Sequence, residues 1–152
     1  MVGAGFLLPD VRIEVICDKV HVCPEMIQLI FEKKPIESIL LITDSMRSSH
    51  LPDGPSEIGG LDVIVKNGEA RLSSNGALAG SMLRMNVALK NVHEVTERPL
   101  CEIIQTTSYN QAVELGIGEK YGRVEAGYRA DLAILDGQTF DVIKVFKDGV
   151  SV

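Results

Sequence analysis

The feature that most constrains this chain is an apolar run that ends on a carboxylate. Leu40, Leu41 and Ile42 are consecutive, and Thr43 and Asp44 follow at once. Alternating apolar residues mark a strand with one wet face, whereas consecutive ones mark a strand buried on both. The segment 38–43 therefore predicts a strand inside a parallel sheet. A carboxylate at its exit is costly to place unless something uses it. In a β/α barrel the strand exits form the floor of the active site, which makes Asp44 the first candidate for a catalytic acid/base. The plainer reading is an aspartate that caps the next turn through the amides of Ser45 or Met46.

The flanking sequence fits a βαβ unit. Residues 13–17 predict a short buried strand with an exit loop at 18–22. Pro24 opens a helix to about Lys33, with Met26, Ile27, Ile30 and Phe31 on its apolar face. Pro35 stops it, and the strand before Asp44 follows; strand, helix, strand implies a parallel pair. Residues 45–60 predict a long polar loop of the kind used as a lid or binding loop. Asn67-Gly68 is a hairpin signal between segments 61–65 and 70–72. Leu78-Ala79-Gly80-Ser81 leads toward a helix reaching about Asn91, with Ser81 as its expected N-cap. Helices at 99–107 and 110–115 follow, the latter stopped by Gly116. Strands at 131–135 and 142–146 and a turn at Asp148-Gly149 close the chain.

Charge and composition exclude several classes. The net charge is -6, with Lys and Arg scattered, which is no nucleic-acid footprint. No apolar run approaches the roughly 18 residues that a membrane-spanning helix needs. The N-terminus has no basic region ahead of its short apolar stretch and does not read as a signal peptide. Three cysteines in apolar contexts suit reduced thiols in a cytoplasmic protein better than a disulfide framework. No partner nucleic acid and no membrane are expected.

Several segments then match one family in order. They are Asp18-x-x-His21-Val22, Thr43-Asp44, the Leu51-Pro52-Asp53-Gly54 loop and Leu78-Ala79-Gly80-Ser81, with Met85 and Asn91 downstream. Ser108-Tyr109-Asn110-Gln111-Ala112 and Gly127-Tyr128-Arg129-Ala130-Asp131-Leu132 follow. The chain resembles the C-terminal portion of the N-acetylglucosamine-6-phosphate deacetylases, members of the amidohydrolase superfamily, over essentially its whole length. The Gly-x-x-Ala-Asp-Leu end is shared widely among amidohydrolases; the other segments together are far more specific.

The resemblance implies an α/β fold, a (β/α)8 TIM barrel with a small β-sandwich. A complete barrel needs about 250 residues, so the expectation is a partial barrel holding the last strand units. Residues 1–128 would be the barrel portion and 129–152 the strands of the sandwich. The implied cofactor is a divalent metal, zinc or iron, in the complete enzyme. Its ligands would lie outside this chain, and none is expected to be bound by this chain alone. The implied substrate is an amino-sugar phosphate, and a homo-oligomer is the implied assembly.

By resemblance Asp44 is the general acid/base. Asp18, Lys19, Val20 and His21 line the substrate pocket, and His21 contacts the sugar phosphate. Leu78, Ala79 and Gly80 let the backbone approach the ligand. Position 19 is a departure: the family usually has Gly there, which tolerates backbone angles that Lys does not. A reshaped loop is one expectation, and an added charge for phosphate is another. The bland readings are a satisfied loop histidine at 21 and a simple turn at 78–80.

Cys17, His21 and Cys23 form a Cys-x3-His-x-Cys cluster, but structural zinc usually takes four ligands at recurrent spacings. Cys17 reads better as a small buried residue. His50 and His93 read as solvated, and Arg123, Glu125 and Arg129 as surface or turn residues. Three functions stay open. They are deacetylation of N-acetylglucosamine 6-phosphate, action on another N-acyl sugar, and an inactive truncated product that only self-associates.

Overall fold

Two parallel strands organise the first third of the chain, and everything at the site hangs from their C-terminal ends. The computed structural model describes residues 2–152. Strand β1 (Ile13–Val15) pairs with β2 (Ile39–Leu41) in parallel, with Val15 opposite Leu41. All three residues of β2 are buried, as consecutive apolar residues predict. Ahead of β1 lies a short helix, α1 (Val2–Leu7), which its Gly-rich sequence does not announce.

Helix α2 (Pro24–Lys33) joins the two strands and buries Ile27, Ile30 and Phe31. Its Pro sits in the first turn, where no amide is lost. Lys34 follows in extended backbone, as a residue before proline prefers. Lys34 is only 5% exposed. Its ammonium donates to the carbonyls of Leu8 at 2.9 Å and Val11 at 2.7 Å, fastening the loop before β1.

The predicted long loop is shorter than expected. Residues 54–58 form β3 (Gly54–Ile58), antiparallel to β4 (Leu61–Lys66), which pairs in turn with β5 (Glu69–Leu72). The Pro and Gly residues that read as loop lie at the start of an edge strand and at its turn, two places that tolerate them. The Asn67-Gly68 turn stands as predicted, with φ of 53° and 78°.

Helix α3 (Met85–Thr96) begins and ends later than expected, with Arg84 at its N-cap. Ser81 does not cap it. Its hydroxyl instead accepts the amide of Leu83 at 2.8 Å, closing a turn before the helix. Helix α4 (Leu100–Ile103) runs into a 3-10 turn (Ile104–Thr107), and α5 (Tyr109–Glu114) follows.

Asn110 and Gln111 explain why their motif sits here. Asn110 Nδ2 donates to the carbonyls of Ile36 and Ile39, both at 2.8 Å, and Gln111 Nε2 donates to that of Leu41 at 2.8 Å. The carbonyls of β2 that face away from β1 are thereby satisfied without a further strand.

Strands β6 (Leu132–Leu135), β7 (Val142–Lys147) and β8 (Val150–Ser151) form a separate antiparallel sheet. Phe140, in the β6–β7 connection, is 6% exposed and joins the main core with Val15, Phe31, Ile39, Leu41, Leu89 and Val92. Asn86 Nδ2 donates to its carbonyl at 3.0 Å. A second, smaller core of Met46, Val63, Val65, Ala70 and Ala79 holds the β3–β5 sheet against the chain leaving β2. No helix among the described residues is long and apolar enough to cross a membrane.

Candidate active site

Each strand of the parallel pair delivers one acidic residue to the same edge. Val15 opposes Leu41, and Asp18 and Asp44 each stand three residues further on. Neighbouring strands lie about 4.8 Å apart, so the two loops leave the sheet side by side.

Asp44 has φ of 47°, a left-handed conformation that Asp tolerates better than most residues. The residue is exposed. Among the described residues its carboxylate has no hydrogen-bond or ion-pair partner. The amide of Met46 donates instead to the carbonyl of Ser81 at 2.9 Å. The capping reading of Asp44 through that amide is thereby removed.

The segment 78–81 is laid beside Asp44 by backbone bonds on both flanks. The amide of Ser81 donates to the carbonyl of Asp44 at 3.2 Å, and Ser45 and Ser81 form a parallel bridge. On the other flank the amide of Ala79 donates to the carbonyl of Ala70 at 2.9 Å, and Leu78 bridges Arg71. The segment is a joint between the β3–β5 sheet and the exit of β2. Gly80 is required there: φ is 77°, and a Cβ would come within 3.2 Å of Ile58 Cδ1.

The Asp18 loop is a closed turn. Asp18 Oδ1 accepts the amides of Val20 at 2.9 Å and His21 at 2.8 Å. Its Oδ2 lies 2.6 Å from His21 Nδ1. Lys19 keeps a left-handed φ of 65°, the conformation that glycine takes most easily, so the substitution does not open the turn. Its ammonium pairs with Glu94 of α3 at 2.7 Å. The neighbouring Lys19 hydrogen bond holds the Glu94 carboxyl below the usual range. The charge expected to serve phosphate is therefore engaged by α3.

Asn91 gives the loop its footing. Its Nδ2 donates to the carbonyl of Cys17 at 2.9 Å, from a side chain buried under the loop. The motif contains Asn91, but nothing in its spacing reveals this bond across 74 positions. Cys17 is fully buried, and burial, with Asp18 adding to it, pushes its thiol up to about 12. It is a packed residue, not a thiolate.

Two histidine readings diverge. His93 is half-buried: its Nδ1 lies 2.9 Å from the carbonyl of Arg98, and its ring packs on Phe140 at 5.9 Å. His50 is exposed, as expected, and lines an open cavity of about 500 Å3 with Thr43, Ser45, Arg84, Asn86 and Asp141. Arg123 is not a bare surface charge either, since its guanidinium lies 3.9 Å above the Tyr109 ring.

Residues 35–152 match the model of the Amidohydrolase family. An N-acetylglucosamine-6-phosphate deacetylase of Lysinibacillus sphaericus is 37% identical over 136 residues, covering 90% of this chain and 35% of that protein. A putative N-acetylgalactosamine-6-phosphate deacetylase of Escherichia coli (strain K12) is 36% identical, covering 90% of this chain and 80% of that protein. The crystal structure of N-acetylglucosamine-6-phosphate deacetylase from Thermotoga maritima superposes with a TM-score of 0.90 at 42% identity, covering 99% of this chain and 41% of that one. The chain thus spans about a third of the length of the first of these curated relatives. Its architecture is part of a β/α barrel with part of an accompanying β domain.

Proposed function

This chain belongs to the amidohydrolase family, and we propose that it carries the acid/base portion of a deacetylase acting on N-acetylglucosamine 6-phosphate. The observation that supports this most is Asp44. It is an unpartnered carboxylate at the exit of a buried parallel strand, with the Asp18–His21 turn on one side and Leu78-Ala79-Gly80 on the other.

The chemistry asked of Asp44 is one proton moved twice. A water oxygen bonds to the acetyl carbonyl carbon as Asp44 accepts the water's proton. The carbon–nitrogen bond then breaks as Asp44 gives that proton to the leaving amine, yielding acetate and the free amino sugar. A carboxylate can take and return one proton within hydrogen-bond reach. His21 contacts the phosphate of the substrate, Asp18, Lys19 and Val20 shape its turn, and residues 78–80 face the sugar.

Deacetylases of this family use a divalent metal, which supplies the activated water. The zinc or iron ligands belong, in this reading, to sequence beyond this chain. We accordingly read the chain alone as inactive, 1–128 as barrel and 129–152 as strands of the β domain. The complete enzyme is a cytoplasmic homo-oligomer in this account.

A second reading is deacetylation of N-acetylgalactosamine 6-phosphate. It is favoured by the near-equal identity of relatives named for either sugar. Acetate release from both sugar phosphates, with zinc supplied, tests the proposal. This chain alone is expected to give none. The same chain replacing its counterpart in the Thermotoga maritima enzyme is expected to turn over at least one of the two. Turnover of unphosphorylated or unrelated amides in preference to both would overturn it.

A further inference from the structure

The Asp18–His21 pair is more specific than a loop contact needs to be. Asp18 Oδ1 is held by two backbone amides, at 2.9 Å and 2.8 Å, so the carboxylate cannot swing freely. Its Oδ2 is presented at 2.6 Å to one ring nitrogen of His21, Nδ1. The side chains are 13% and 23% exposed, which leaves the histidine reachable while the aspartate is largely covered. Behind the turn, Asn91 fixes the carbonyl of Cys17 and Lys19 is tied to Glu94. Cys17, just before the turn, and Lys19, within it, are both anchored to α3.

An ionised carboxylate only accepts hydrogen bonds. The nitrogen facing it must therefore carry the proton, and in a neutral imidazole the other nitrogen is then bare. We propose that Asp18 is a positioning residue that holds His21 in the Nδ1–H form, making Nε2 the atom offered to a ligand. A ring so fixed can take a further proton at Nε2 and donate it toward a phosphate oxygen. Asp18 balances the imidazolium charge, and the second proton adds to a ring already aligned. This rests on the reading of His21 as a phosphate-facing residue, but the assignment of the proton does not.

The test is nitrogen NMR of the Thermotoga maritima enzyme carrying this chain in place of its counterpart, labelled at its histidine ring nitrogens and recorded where the rings are neutral. The His21 signals are identified by their loss in His21→Gln. The expected spectrum shows His21 with a protonated Nδ1 and a bare Nε2.

In Asp18→Asn the side-chain oxygen still accepts the two backbone amides, while its NH2 now faces Nδ1 and donates to it. The ring is expected to invert to the Nε2–H form, with the amide shifts of Val20 and His21 little changed. A role confined to holding the loop would leave the tautomer where it was. An Nε2–H or averaged ring in the unsubstituted chain overturns the proposal even if the variant fails to fold, and so does the same tautomer in both proteins. Because nothing here depends on turnover, failure of the deacetylase reading gives a different signature: no acetate release with the tautomer as stated.

Discussion

Asp18 and Asp44 occupy equivalent places, each three residues past the matched pair Val15 and Leu41 of one parallel ladder. Their surroundings then differ. Asp18 spends both oxygens on its own turn, whereas Asp44 keeps its carboxylate unpartnered among the described residues. The first can orient a neighbour; the second is available to move a proton.

Gly80 ties the site to the β3–β5 sheet, so its replacement should be felt in stability. Gly80→Ala forces a left-handed φ on a residue with a Cβ, costing about 1–2 kcal/mol, and presses on Ile58. Denaturant unfolding should show the loss with an unchanged slope, because the same surface is exposed on unfolding. An equally stable variant would mean that the joint is not built as described.

Asn91→Leu should cost more than its volume suggests. It leaves the carbonyl of Cys17 buried without its donor, a penalty of about 1–3 kcal/mol. The same variant should loosen the Asp18 turn, read as faster exchange of the Val20 and His21 amides. Loss of stability without faster exchange there would separate the core from the site.

Thiol chemistry distinguishes the three cysteines. Cys23 and Cys101 are exposed and should react with a thiol reagent at pH 8 in the native protein, while Cys17 reacts only on unfolding. The linkage has a definite sign. The folded-state pKa of Cys17 is raised from 9.0 to about 12, so its contribution to stability is intact below pH 9. It is lost progressively as pH rises from there toward 12, because the unfolded chain ionises first. Cys17→Ala should flatten that alkaline decline.

Apolar surface is left open at Leu115, Val124 and Ile143, which are 73%, 88% and 64% exposed. A groove of about 1050 Å3 lies between the helices around Ile104 and Leu115 and the β6–β7 sheet. Bare apolar area of this kind drives association. The isolated chain should run as an oligomer or aggregate in light scattering, and a monodisperse monomer would count against that.

The sequence carried the helix α2 to the residue, because Pro24, Pro35 and a spaced apolar face are local signals. It carried β2 because Ile39, Leu40 and Leu41 are consecutive apolar residues, another local signal. Strand β3 was hidden because Pro55 and the surrounding glycines read as loop; an edge strand tolerates them only once β4 lies beside it. Ser81 looked like a cap because capping residues also close turns, and only Arg84 at the helix start resolves the two. His93 looked solvated because its partners, the Arg98 carbonyl and Phe140, depend on chain folding back. Asn91, Glu94 and His50 enter the site's surroundings through tertiary contacts that no spacing encodes.

The most direct measurement is acetate release from N-acetylglucosamine 6-phosphate by the Thermotoga maritima enzyme carrying this chain in place of its counterpart, with and without Asp44→Asn. An amide can neither take nor return the proton, so the account predicts a fall of roughly 100-fold or more in kcat, within the span attributed to general acid–base catalysis. Substrate binding should be little changed. An Asp44→Asn protein that turns over at the unsubstituted rate would contradict the central claim.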